Sequence, residues 1–174
     1  MKRRLTKVPA KMKGTLRGPR APLCPKYAAW GFVSGSISIL AIALVTQLAA
    51  CPLLIGSFGA SAVLLFGASE SPLAQPRNLI GGHLVSALVA VAVVSLAGNA
   101  SWAVALAVGS SICLMYLTRT VHPPGGATAL IGVQSHAAWS FVLVPVLSGT
   151  LILLLVALFT NNIVHHRQYP KHWM

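Results

Sequence analysis

The chain has 174 residues, 56% of them apolar and 8% charged, and its thirteen Lys and Arg against the single acid Glu70 give a formal net charge of +12. A soluble domain carries about 25% charged residues, so a water-covered globule is excluded; the hydrophobicity also excludes a disordered chain. One carboxylate leaves no paired-carboxylate acid/base site and no oxygen-rich cage for a hard cation.

Nine of the thirteen cations lie in residues 1–26, among four prolines and with no apolar period. This stretch reads as a disordered cytoplasmic tail that obeys the positive-inside rule and touches anionic membrane lipid. It has no interleaved aromatics and no recognisable binding module, so no nucleic-acid partner is expected. It is too basic, and the apolar run after it too long, for a cleaved signal peptide.

A membrane domain is expected over residues 27–162. Residues 28–50 carry no charge and reach about 35 Å as a helix, enough to cross a hydrocarbon core. Residues 52–67 are apolar but short and Gly-rich. Long spans follow at 79–98, 101–118 and 139–160, the last with Pro145 expected to kink it near its start. Between the last two lies a second short stretch, 122–133, about 18 Å as a helix. Residues 163–174 read as a polar cytoplasmic C-terminal tail. Trp30, Trp102 and Trp139 stand near the starts of spans, as interface aromatics do. Gly31 and Gly35 have GxxxG spacing, which suits close helix approach. The expected fold is an all-α polytopic bundle of four long transmembrane helices plus two short Gly/Pro-rich ones.

The two short stretches look alike. Residues 59–64, GASAVL, align with residues 126–131, GATALI, at an offset of 67. Each lies between two long spans, so the chain reads as a repeated long–short–long unit. Cations at both chain ends put both termini on the cytoplasmic side and make the number of crossings even. Six crossings place Arg77 and Arg119 inside and invert one unit relative to the other. Four crossings, with both short stretches re-entrant, place those arginines outside. Six is the favoured count, and it needs residues 119–121 to help the second short stretch across.

Short Gly/Pro-interrupted segments are the best sequence pointer to a substrate site in a membrane protein. His83, inside a span, is a functional candidate because an ionisable group there is costly. His122 precedes Pro123 and Pro124, which force its backbone extended and suit a helix start. Gly125 and Gly126 would leave amides open at that helix end, a favourable place for an anion. Gly59, Ser61 and Thr128 would add amide or hydroxyl donors, and Arg77 and Arg119 positive potential. Against one acid, this set suits a small anion. The three cysteines show no metal spacing and His165-His166 cannot share a metal at i,i+4, so no metal and no cofactor are expected. No nucleophile–base constellation or P-loop is present, so an enzyme is not expected.

Three blocks, GASAVLLF at 59–66, SPLAQPRNLIGGH at 71–83 and HPPGGATAL at 122–130, together resemble the HPP family of integral membrane proteins, named for the His-Pro-Pro that stands here at 122–124. Pro76 and Asn78 fall in the second block, Pro123 and Pro124 in the third. The resemblance covers about residues 28–160 and implies a transporter-like protein with four transmembrane helices. Plant and cyanobacterial members are associated with nitrite transport, so the resemblance points to nitrite as a substrate. Some members carry CBS domains, for which this chain has no room. The expected function is a transporter or channel for a small anion, in a bacterial inner membrane and as a homo-oligomer, since so small a chain needs more than one copy to enclose a path. The alternative left open is a non-transporting protein whose Gly-rich stretches only pack against a partner or a second copy.

Overall fold

The computed structural model describes residues 24–164 and 167–174; most of the basic tail and His165-His166 lie outside them. Six helices follow in order: α1 Pro25–Ala49, α2 Gly56–Gly67, α3 Pro76–Ala97, α4 Ser101–Leu117, α5 Pro123–Gln134 and α6 Val142–Ile163, with a 3-10 turn at Pro72–Ala74. No strand occurs among the described residues. Proline opens α1, α3 and α5, where its missing N–H would have had no intrahelical partner. The first span therefore starts at Pro25, three residues earlier than expected.

Three helices, α1, α3 and α6, are long and apolar enough to cross a membrane by length and composition. The sequence reading counts four such spans. The other expected span, α4, has 17 residues, about 26 Å. Its end is set locally: the Thr118 hydroxyl donates back to the Leu114 carbonyl at 2.8 Å, and Arg119 turns into the left-handed region at φ 56°. In α6, Val144 leaves helical geometry at φ −132°, ψ 114° beside Pro145, the expected kink.

The helices alternate in direction. At one end of the bundle Trp30 Nε1 donates to the Thr160 carbonyl at 3.0 Å, Arg167 Nη1 to the Phe66 carbonyl at 3.0 Å, Tyr169 OH to the Ala74 carbonyl at 2.8 Å and Arg77 Nη2 to the Thr118 carbonyl at 3.0 Å. At the other end the Leu53 N–H donates to Thr46 Oγ1 at 3.3 Å, and Asn99 meets His136 at 2.7 Å. The two short helices thus run in opposite directions, α2 starting at the end where α1 finishes and α5 at the end where α4 finishes. Residues 52–55 before α2 and residues 120–122 before α5 lie outside any helix, with Ile55 and His122 extended.

Packing is inverted relative to a soluble domain. Phe32, Leu48, Tyr116 and Phe159 are all at least 70% exposed, while Ser38, Ser61, His83, His122, Thr128, Thr150 and Asn161 are fully buried. An apolar outside suits lipid, and buried polar groups then need partners within the bundle. One apolar cluster joins α1, α2, α3 and α6 through Ile42, Phe58, Leu65, Leu79 and Leu153. A second joins α3, α4 and α5 through Ala90, Ala103, Ala107 and Ala129. Small residues let the backbones approach: a Cβ on Gly125 would lie 2.9 Å from the Gly82 carbonyl, and one on Gly132 2.7 Å from Ala90 Cβ.

Candidate functional site: a buried imidazole pair between two short helices

The site is built on α3. Asn78, in its first turn, donates from Nδ2 to the Val121 carbonyl at 2.8 Å and anchors the extended segment before α5. Gly81 and Gly82 let that segment lie directly on the helix. A Cβ at Gly82 would sit 2.9 Å from the Thr120 carbonyl and 3.4 Å from the His122 N. His122 caps α5 with extended backbone, φ −138°, ψ 104°, as the following prolines require. His83 points into the same space from about two turns inside α3.

The two rings lie 5.0 Å apart, centroid to centroid, at 56°, and Phe58 of α2 packs edge-on to His83 at 5.5 Å. His122 Nδ1 is 2.8 Å from the Leu73 carbonyl. A carbonyl only accepts, so this nitrogen carries hydrogen. Its Nε2 is 2.9 Å from Ser61 Oγ, and the same Oγ is 2.8 Å from His83 Nε2. On the far side of that ring, Nδ1 lies 2.7 Å from Thr128 Oγ1. Thr128 in turn donates to Ser57 Oγ at 2.9 Å. Leu73, His122, Ser61, His83, Thr128 and Ser57 therefore form one unbroken chain of hydrogen bonds. Ser61 and Thr128 hold equivalent places in GASAVL and GATALI, and they meet opposite nitrogens of one imidazole.

Of the expected site residues, the fold brings together His83, His122, Ser61 and Thr128. Arg77 and Arg119 are exposed at the end of the bundle, where Arg77 closes the turn after α4. Gly59 lies on the exposed face of α2 with nothing within 4 Å of where a Cβ would be. Gly125 offers no bare amide: its N–H donates to the His122 carbonyl at 2.8 Å, and its missing side chain serves contact with α3. Gly126 is half-buried beside Val108. Pro123 and Pro124 form the first turn of α5 as expected. At Gly31 a Cβ would meet the Phe66 carbonyl at 3.5 Å, an ordinary contact, and at Gly35 it would meet nothing within 4 Å, so neither glycine is required by a close approach.

Sequence reasoning missed a second polar centre. Asn161 Nδ2 donates to the Leu65 carbonyl at 3.1 Å, and Arg167 holds Phe66 while stacking on the Tyr27 ring at 4.8 Å. Together they satisfy the carbonyls at the end of α2, whose last five residues form a π-helical turn. The spacing of Asn161 and Arg167 gives no warning of this, because their partners are about a hundred residues away. The lone acid, Glu70, is exposed and 3.3 Å from Lys171. Among the described residues no three His, Cys, Asp or Glu converge on a metal position.

A bundle with an apolar outside, three helices long and apolar enough to cross a membrane and a buried polar centre is an integral membrane protein of polytopic helical type. The chain matches the model of the HPP transmembrane region over residues 20–170, and it belongs to that family. It is 46% identical over 176 residues to one transmembrane protein of Dictyostelium discoideum and 47% identical over 176 residues to another. Each match covers 94% of this chain but only 62% and 56% of the relatives, so the chain spans well under two thirds of their length. No solved structure matches it.

Proposed function

We propose that this protein moves a small anion, nitrite being the first to test, across a membrane by way of the centre where α2 and α5 cross. The observation that carries the reading is the composition of that centre: two imidazoles and three hydroxyls, fully buried, with no carboxylate among them. Hydroxyls and imidazole N–H groups can donate to an anion, and a cation would meet no negative charge there. The two short helices approach from opposite ends of the bundle, as half-helices do at transporter sites. The cations at one end, Lys26, Arg77, Arg119, Arg167 and Lys171, fit a cytoplasmic face with both termini on it, in an inner membrane if the source is bacterial. Four long spans are retained in this reading, with α4 completed by residues beside it. A homo-oligomer would enclose the path.

A second reading has one observation in its favour. Each of these five side chains is buried and bonded to its neighbours, so the cluster could serve only to lock α2, α3 and α5 together. Purified protein in liposomes separates the two. Nitrite flux that is abolished in His122→Ala supports transport. No flux of nitrite, nitrate or formate, with cysteines at positions 61 and 128 refusing water-soluble thiol reagents, would leave the locking role.

A further inference from the structure

We infer that the His83–Ser61–His122 array is a binding site for one transferable proton, shared by the two rings through the Ser61 hydroxyl. The argument is a count of hydrogens along the chain of bonds. His122 Nδ1 must donate to the Leu73 carbonyl. Where Thr128 gives its hydrogen to Ser57 at 2.9 Å, or to the Pro124 carbonyl at 3.4 Å, His83 Nδ1 donates to Thr128. Both rings then carry hydrogen on Nδ1, and both turn Nε2 to the same hydroxyl, at 2.8 and 2.9 Å. Ser61 has one hydrogen to offer two ring nitrogens and, at a longer 3.3 Å, the Ser57 carbonyl. In that sense of the hydroxyl row, with both rings neutral, one Nε2 faces an oxygen across a hydrogen-bond distance with no hydrogen between them.

One added proton completes the set. On His122 Nε2 it donates to Ser61 Oγ, and Ser61 donates to His83 Nε2. The proton can then cross. His122 passes its Nε2 hydrogen to Ser61 Oγ as Ser61 passes its own hydrogen to His83 Nε2. One N–H and one O–H bond break, one O–H and one N–H bond form, and the positive charge moves from one ring to the other with no heavy atom displaced. When the proton leaves, the neutral array is satisfied only if Thr128 turns its hydrogen to His83 Nδ1 and Ser57 donates back to Thr128. His83 then donates from Nε2 to Ser61, and Ser61 to His122. The two fully bonded arrangements differ by one proton and by the sense of the hydroxyl row.

Nothing in the surroundings neutralises that proton. From α2 come Ser57, Phe58 and Ser61, from α4 Met115, from α5 Thr128 and from α6 Gly149 beside Phe58, none of them titratable in this range. Arg77 stands about 9 Å along α3 and is exposed with Arg119, while Glu70 is bound to Lys171 at the surface. An uncompensated buried charge is costly. An anion arriving at the same centre would offset it, so proton and anion would each favour the other's binding. This last step rests on the anion-transport reading; the proton count does not.

The test uses the full chain with nitrogen-15-labelled histidine in lipid nanodiscs, followed by imidazole NMR as pH is lowered. The expected result is uptake of one proton by the two rings together, with both Nε2 resonances moving in a single step. Ser61→Ala should split that step into two unequal ones, and Ser61→Thr, which keeps the hydroxyl, should restore it. Independent titration of the two rings in the unaltered protein, or a Ser61→Ala profile matching the unaltered one, would overturn the inference. Repeating the titration with 10 mM sodium nitrite, roughly a saturating probe for a site of millimolar affinity, reads the second step. Uptake moved to higher pH supports coupling. An unmoved curve removes the coupling and, with liposome flux absent, the transport reading, while the shared proton stands.

Discussion

The two halves of the molecule share a backbone plan and differ in chemistry. In each, a long helix is followed by extended chain, a short helix and a long return helix. Ser61 and Thr128 correspond, and so do Gly82 and Gly149, each needed because the neighbouring segment lies where a Cβ would stand. The histidines break the match. His122 caps its short helix where the first half has Ile55, and His83 follows its glycine where the second half has Thr150. Both rings end on one side of the pseudo-repeat, bridged by the hydroxyl from α2. The lesson is that the repeat supplies a frame of crossing short helices, and two departures from it supply the titratable centre.

Removing a departure should cost most. His83→Ala leaves the Ser61 and Thr128 hydroxyls without a ring between them and opens a cavity. We expect a loss of about 3 kcal/mol, read as a fall in thermal unfolding temperature in detergent, and flux at background. His122→Ile restores the residue type of the first half. It should fold better than His83→Ala yet abolish flux, and flux that survives would end the role of His122. Breaking the shared frame comes next. Gly82→Val drives a side chain into Thr120 and His122 and should cost about 2 kcal/mol, whereas Gly35→Ala, which meets nothing, should be silent.

Between the matched hydroxyls the comparison predicts inequality. Ser61 serves two rings and Thr128 one, so Ser61→Ala should cost about 2 kcal/mol and Thr128→Val about 1 kcal/mol. Equal losses would mean that the bridge is not special. A comparably small effect belongs to the tail. Tyr169 is buried against Ala74, and burial pushes its phenol above the ordinary value. The folded state then favours the neutral phenol, so its contribution is complete below about pH 10 and is lost above it as the unfolded phenol ionises. Tyr169→Phe should lower stability by about 1 kcal/mol near neutral pH and flatten the decline above pH 10 in a denaturation series.

Much of the frame was legible. Pro123 and Pro124 located the start of α5, and apolar run lengths located the spans to within three residues, α3 starting at Pro76 where 79 was expected. His83 and His122 stood out because an ionisable group inside an apolar run, or before two prolines, has few bland uses. Less legible was the fate of Arg77 and Arg119. A charge next to a Gly-rich segment in sequence can turn to either side, and here both turn outward, Arg77 onto a carbonyl. The α2 cap by Asn161 and Arg167 was invisible because it joins groups far apart in the chain.

Composition and periodicity settled that the chain is a membrane bundle with one acid and two short Gly-rich helices, since these depend on local hydropathy, length and charge. Which polar atoms meet was decided only by packing. Gly82 and Gly125 bring α3 and α5 together, and that approach, not any spacing in the chain, sets two imidazoles around one hydroxyl.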